Sequence, residues 1–351
     1  WGRIMATLRE QANRLDSSDM LGHIRKFPAD LANAWDASES WDLSAIGNAT
    51  FNGVVCLGMG GSASGGDFLS CLSDADGCLP FVAHRGYDLP AWVSEKWLVI
   101  ATSYSGNTEE TLDSVEAAIG LGCSVVGLSS GGALQTLLEK SNQTWIQLPG
   151  GQPPRSAFGH IFGTQIALAW RLGIMSAPED LGAITQRLSE AVDACDFTQD
   201  DEENVIVEMA QSISNREISV LATQSLAPTA YRAVCQLNEN GGVFARPHVI
   251  PEMNHNEIVA WGEEHATENQ ALLLFSWDGA HDRNDLRLDW FLENITVEPT
   301  WAMLCEGESH LESLLYAVIL MDWISCAVAL LRGKDPTAIG PIVGLKEHLS
   351  Q

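Results

Sequence analysis

Two places in this chain share one design: a short apolar run that ends in a cluster of glycine and hydroxyl residues ahead of a helix-like stretch. The sharper is Ser103-Tyr104-Ser105-Gly106-Asn107-Thr108-Glu109-Glu110-Thr111, which directly follows the apolar run 97–101. The other is Val54-Val55-Cys56-Leu57-Gly58 leading into Met59-Gly60-Gly61-Ser62-Ala63-Ser64-Gly65-Gly66-Asp67. A buried strand that turns into a helix through such residues aims backbone N–H groups and Ser/Thr oxygens at one point, which makes a seat for a phosphate. Both stretches therefore demand strand–turn–helix units and point to a phosphorylated ligand held with little formal positive charge. Taken alone, Ser103 to Thr111 reads equally well as a capped helix start, because Ser, Thr and Asn are favoured N-caps and Glu suits a first turn. The upstream turn lacks the Gly-Lys-Ser/Thr of a P-loop and the G-x-G-x-x-G spacing, so a nucleotide is not indicated.

Further apolar runs at 79–83, 98–101, 124–128 and 145–148 alternate with helix-like segments at 109–121 and 133–140, with Gly131-Gly132 as punctuation. That alternation predicts a doubly wound parallel sheet with helices on both faces, in which ligands sit at the carboxyl ends of strands, where both turns fall. The turn-rich stretch Leu148-Pro149-Gly150-Gly151-Gln152-Pro153-Pro154-Arg155 then separates two structured halves. Helical patterns follow at 156–175 and 178–193, and a weaker second set of strands is predicted at 218–222, 271–275 and 295–301. A last amphipathic helix ends near Leu349. The length, 351 residues, suits two domains. We expect an α/β chain of two three-layer domains, 1–152 with a leading helix and 153–351 with linking helices and a tail helix.

Lys plus Arg total 19 against 46 Asp plus Glu, a formal net charge of −27. Such a field repels nucleic acid and anionic membrane surfaces, so neither is an expected partner, and an anionic substrate must be caught locally by helix N-termini and a few placed cations. Eight scattered cysteines without a C-x-x-C pair read as reduced residues of a cytoplasmic protein. Residues 1–14 lack the apolar core of a signal peptide. The most apolar long segment, 311–331, is interrupted by Asp322 and reads as a buried helix rather than a membrane span.

A few polar residues stand out from this background. Arg155 follows two prolines that stiffen its approach, which suits an anion clamp, although an isolated Arg in a linker is ordinarily a surface residue. Glu239 ends a helix-like stretch in Gln236-Leu237-Asn238-Glu239-Asn240-Gly241-Gly242, where a carboxylate is ordinarily solvated. His255 sits in the polar knot Pro251-Glu252-Met253-Asn254-His255-Asn256-Glu257, with Asn and Glu neighbours that could fix its tautomer. Glu252 and His255 have helical metal-ligand spacing, but no second pair accompanies them, so no metal is expected. Lys346, in Gly344-Leu345-Lys346-Glu347-His348, has the default reading of a solvent-facing helix residue, yet it is one of only five lysines.

Taken together these segments resemble the bifunctional phosphoglucose/phosphomannose isomerase family of the sugar isomerase (SIS) superfamily, over about residues 51–349. The resemblance rests on GMGGSASGGD at 58–67, SYSGNTEET at 103–111, PPR at 153–155, QLNEN at 236–240, PEMNHNEI at 251–258, DPT at 335–337 and the Leu345-Lys346 pair. The first two motifs specify the superfamily, and the later ones in this order specify the isomerases. The resemblance implies two SIS domains and a homodimer with active sites shared between subunits. It places Gly61, Ser62, Ser103, Ser105 and Thr108 around the sugar phosphate, the last three on the phosphate itself. It makes Glu239 the base that moves a proton between carbons 1 and 2, His255 the ring-opening group from the neighbouring subunit, Arg155 the stabiliser of the enediolate, and Lys346 a neighbour of the ring oxygen.

Opening a ring, removing a proton beside a carbonyl and stabilising an enediolate are three roles that a His, a Glu and an Arg supply with neither metal nor organic cofactor. One departure stands out: relatives continue the NEN motif with a small residue and Lys, whereas this chain has Gly241-Gly242 and no lysine adjacent. The expected activity is interconversion of glucose 6-phosphate, and mannose 6-phosphate, with fructose 6-phosphate. A non-catalytic sugar-phosphate sensor and an isomerase of another phosphosugar are the alternatives.

Overall fold

The computed structural model describes residues 7–47, 49–199 and 204–349. In chain order the elements are α1 (Leu8–Leu15), α2 (Met20–Arg25), α3 (Phe27–Ala37), β1 (Gly53–Leu57), α4 (Gly61–Asp76), β2 (Phe81–His84), β3 (Trp97–Thr102), α5 (Glu109–Leu121), β4 (Ser124–Ser129), α6 (Gly132–Lys140), β5 (Thr144–Gln147) and α7 (Phe158–Arg171). Then come α8 (Leu181–Cys195), α9 (Val205–Ile213), β6 (Glu217–Thr223), α10 (Ala227–Gln236), β7 (Ala245–Ile250), α11 (Ile258–Trp261), β8 (Gln270–Ser276), α12 (Asp282–Asn294), β9 (Thr300–Leu304), α13 (His310–Leu331) and α14 (Gly340–Leu349).

The chain divides into two compact units, residues 26–187 and residues 7–25 with 188–349. This division differs from a boundary at residue 152, for a packing reason. Beyond the linker, α7 packs on α3 and α4, and its Phe158 and Phe162 form one aromatic cluster with Phe27, which stacks on Phe158, and Phe68, which meets both edge-on or tilted. Gly159 and Gly163 let the α3 backbone approach, since a Cβ at either would lie within 2.9 Å of an α3 atom.

In the unit 26–187 the strand order is β2-β1-β3-β4-β5, all parallel. Val55, Leu57, Val99, Ala101 and Val125 face Val115, Ala118, Leu134 and Leu138 of α5 and α6. Alternation puts Cys56 on the opposite face, where Gly66 of α4 sits close enough that a Cβ would come 2.8 Å from the cysteine's own. The three-layer arrangement follows directly, and the order reverses between β1 and β3, so the switch point lies at the ends of those two strands.

The second unit has the order β7-β6-β8-β9, again all parallel. Its α12 side is a core of Leu221, Leu272, Leu274, Leu288 and Phe291 with Ile250, Met253, Trp261 and Val297. Strand β7 has no counterpart among the sequence expectations, because Ala245-Arg246-Pro247-His248 carries no apolar run; as an edge strand it accommodates Pro247. Strand β9 starts at Thr300 rather than 295, since Ile295 ends α12 and Pro299 precedes the ladder. Helix α13, long and apolar enough to cross a membrane, is instead the core helix of this unit, with 89% of its most apolar window buried. Its Asp322 accepts from both Arg232 Nη2, at 3.0 and 3.1 Å, and Gln236 Nε2, at 2.5 Å, so the charge that interrupts the apolar run is paired by α10. Among the described residues no cysteine is joined in a disulfide, and burial pushes the Cys56 and Cys195 thiols up to about 12.

Candidate active site

The switch point of the first sheet is assembled from three turns. After β1, Gly60 takes φ +53° and starts α4 without a side-chain cap. Gly61 lies so close to the linker that a Cβ would come within 3.0 to 3.1 Å of the Arg155 N and Cα and the Pro154 carbonyl carbon. Ser62, buried, accepts a hydrogen bond from Tyr104 N at 3.1 Å and so ties the first turn to the second.

After β3, the fully buried Ser103 donates its hydroxyl to Thr108 Oγ1 at 2.8 Å and accepts from Thr108 N at 3.3 Å. The Thr108 hydroxyl proton is thereby left to donate elsewhere. Ser105 is exposed; its Oγ accepts from Asn107 N at 3.3 Å, and Asn107 Oδ1 in turn accepts from Ala133 N at 3.0 Å. Gly106 takes φ +72°, and a Cβ there would sit 1.7 Å from Gly131 O. The pair Gly131-Gly132 after β4, read from sequence only as punctuation, is therefore the wall on which the Ser105-Gly106 turn rests.

The third contribution is the linker. The Tyr104 hydroxyl donates to Pro149 O at 2.8 Å and accepts from Gln152 N at 3.3 Å. Burial raises its ionisation above the ordinary tyrosine value, an effect the Gln152 N–H opposes and Asp30 reinforces, so it remains a neutral donor. Gln152 Nε2 donates to Asp30, which also contacts His160 Nε2 at 3.2 Å. These bonds hold the turn in which Ser156 N and Ala157 N donate to Pro153 O. Arg155, at 3% exposure, is buried here rather than on the surface. Gly61, Ser62, Ser103, Ser105, Thr108 and Arg155 thus belong to one unit and to one network of turns.

Glu239, His255 and Lys346 belong to the other unit. Glu239 lies half-buried in a π-turn, Leu237–Gly241, that continues α10 and closes on Gly242 in the left-handed region. Asn238 Oδ1 accepts from Ala245 N at 3.2 Å, and the buried Asn240 donates to Ser325 Oγ of α13 at 2.9 Å. The lysine missing beside this motif in sequence is supplied in space: Lys334 Nζ donates to Glu239 O and, at 2.9 Å, to Asn240 O.

His255 is exposed, in a short turn that follows β7. The polar side chains around it bond elsewhere: Asn256 to Glu252 at 3.0 Å, Asn254 Nδ2 to Met253 Sδ at 3.2 Å, and Glu257 to His248. Glu239 and His255 therefore flank opposite ends of β7, whose six residues span about 17 Å. Lys346 is exposed on α14, a helix with no buried residue. Among the described residues no group of three or more His, Cys, Asp or Glu is placed to hold a metal ion.

The sequence signal for Tyr104, Gln152 and Lys334 was slight, because each acts through a partner distant in the chain. Of the three, Tyr104 alone lies within one of the motifs shared with the isomerase family, SYSGNTEET.

Residues 202–349 match the family described as the bacterial phospho-glucose isomerase C-terminal SIS domain. A bifunctional phosphoglucose/phosphomannose isomerase of Aquifex aeolicus is 31% identical over 319 residues, covering 89% of this chain and 94% of its own length. Another protein of that name, from Caldicellulosiruptor bescii, is 28% identical over 95% of this chain and 99% of its own. Among solved structures, a tagatose-6-phosphate ketose/aldose isomerase of Escherichia coli superposes with a TM-score of 0.69 over 91% of this chain and 95% of its own, at 16% identity, and so speaks for the fold alone. An alignment that spans both units and most of each chain at 31% identity settles the lineage: the chain belongs to the bifunctional phosphoglucose/phosphomannose isomerase family.

Proposed function

We propose that the protein is an aldose–ketose isomerase that interconverts glucose 6-phosphate, and mannose 6-phosphate, with fructose 6-phosphate. The observation that carries this reading is the three-turn seat with Arg155 locked to it through Gly61, in a chain of this family. The Ser105 and Thr108 hydroxyls and the uncapped starts of α4 and α5 hold the phosphate, with Ser103 shaping the turn from beneath and Gly61 and Ser62 giving the sugar close access to backbone.

The chemistry then divides among the remaining groups. His255, from a second copy of the chain, moves the proton that opens the ring, with Lys346 beside the ring oxygen. Glu239 takes the proton from carbon 2 of the aldose and returns it to carbon 1, and the Arg155 guanidinium offsets the charge on the enediolate oxygens between the two transfers. The wide separation of Glu239 and His255 along β7 supports a site shared by two copies of the chain, a homodimer. The enediolate is planar at carbon 2, so both aldoses pass through one intermediate, and one site serves both where the pocket has room for either configuration at that carbon.

A coupled assay over a panel of glucose, mannose, amino-sugar and pentose phosphates tests the proposal. Turnover of the first two to fructose 6-phosphate is expected. Thermal stabilisation by these sugars without turnover favours a sensor, and turnover of a different member alone reassigns the substrate.

A further inference from the structure

The Glu239 turn has an unusual clasp. Past the end of α13, the Lys334 backbone N donates to Ala329 O at 2.9 Å, closing the helix, and its side chain reaches back over the π-turn. There Nζ meets two consecutive carbonyls, those of Glu239 and Asn240. The stem crosses Gly242, where a Cβ would lie 3.4 Å from Lys334 Cδ and 3.6 Å from Cε and Nζ. Gly242 is at φ +62°, so the same glycine provides the left-handed turn and the corridor for the lysine.

A helix end leaves its last carbonyls without intrahelical donors and gathers negative charge there. An ammonium placed on both carbonyls answers the two needs at once. Asn240 is pinned on the other side by Ser325. With the peptide groups on both flanks of Asn240 fixed, and the Glu239 carbonyl held, the direction in which the Glu239 side chain leaves the backbone is set by Lys334 rather than by the turn alone.

We infer that Lys334 is a positioning residue for Glu239, acting on proton transfer and not on substrate affinity; this rests on the reading of Glu239 as the base. Lys334 touches no reacting atom in this scheme. Its role is to hold a carboxylate within the narrow geometry that proton transfer demands, where an error of about 1 Å costs on the order of a hundredfold.

The experiment measures kcat, KM and melting midpoint for Lys334→Met, Lys334→Arg and Lys334→Gln, each in the wild-type and Glu239→Gln backgrounds. Lys334→Met is expected to lower kcat about 10- to 50-fold with KM within about twofold. Lys334→Arg, which still offers donors to two carbonyls, is expected to recover kcat to within about threefold. In the Glu239→Gln background, Lys334→Met is expected to change kcat less than about twofold, because the group it positions is already gone. Should Lys334→Met not fold, Lys334→Gln carries the same comparison. Equal losses in both backgrounds, a loss carried by KM, or a kcat unaffected by Lys334→Met overturns the inference. Full activity of Glu239→Gln by itself overturns the assignment of the base instead, so the two failures are told apart.

Discussion

The two units use the same strand–turn–helix element, yet they treat their helix starts in opposite ways. Among the described residues of the first unit, α4, α5 and α6 begin at Gly60, Thr108 and Gly131 with no side-chain cap. In the second unit, Asn204 caps α9, His281 caps α12 and Ser309 caps α13, each accepting from a first-turn N–H. Helix α10 carries Pro228 in its first turn, which removes a donor. The carboxyl edge of the second sheet is further filled by His310, stacked on Trp277 with centroids 4.7 Å apart and bonded through Nε2 to Ser225 O at 2.6 Å. Open N-termini attract an anion, and capped ones have already spent their donors. One fold unit thus leaves the helix starts at its carboxyl edge open, as the proposed phosphate seat requires, while the other closes that edge with its own side chains and carries its candidate base at the opposite edge, beside the start of β7.

The sharpest way to break this division of labour is to neutralise that base. Glu239→Gln is expected to lower kcat at least about a hundredfold with KM little changed, as loss of a general base does. Steady-state kinetics with fructose 6-phosphate check it, and near-normal turnover removes Glu239 from the mechanism. A mixing experiment then asks whether both ends of β7 serve a single site. Glu239→Gln and His255→Asn are each expected to be nearly inactive alone. If the site takes Glu239 from one copy and His255 from another, half of the mixed dimers are hybrids with one intact site of two, and the mixture regains about a quarter of wild-type activity. No recovery after verified subunit exchange means that the two residues do not work in a site shared in this way.

At the proposed phosphate seat, the contrast is between two glycines of positive φ. Gly106→Ala forces a Cβ to 1.7 Å from Gly131 O, a backbone atom with little room to move, whereas a Cβ at Gly60 meets nothing within 4 Å. Gly60→Ala is expected to cost only the strain of its positive-φ backbone, on the order of 1–3 kcal/mol, whereas Gly106→Ala adds the clash and is expected to cost about 2 kcal/mol or more beyond that and to abolish saturable binding of the sugar phosphate. Denaturant melts of the two variants decide it, and equal costs mean that the Gly131 wall does not confine the seat.

What the sequence revealed and what it hid follow from where each signal is stored. The central strands β1, β3, β4, β6 and β8 are apolar runs buried on both faces, and the turns after β1 and β3 carry their Gly and Ser within ten residues, so both were legible locally. Strand β7 was not, because an edge strand bearing Arg246, Pro247 and His248 satisfies only one neighbour. The unit boundary was hidden because α7 looks like any apolar helix after a linker; its packing on α3 and α4, with Phe68 and Phe27 against Phe158 and Phe162, assigns it to the first unit. The Glu239 turn was half legible: its motif is local, but the bonds that shape it come from Ser325 and Lys334, 85 and 94 residues away from Asn240.

The smallest effect tests the closed edge itself. Burial holds the His310 imidazole below its ordinary value, with the bond to Ser225 O pulling weakly the other way. A neutral imidazole is thus preferred in the folded chain, while the unfolded chain takes up the proton at higher pH. His310 therefore contributes stability that is whole above the ordinary imidazole value, near 6.5, and is lost as the pH falls through the window beneath it. Melting midpoints measured from pH 7.5 down to 5 should decline below about 6.5, and His310→Gln, whose amide can still donate to Ser225 O, should flatten that part of the curve. An identical slope in the variant means that the second sheet's carboxyl edge is not closed by a neutral His310, and the contrast between the two edges would then rest on the helix caps alone.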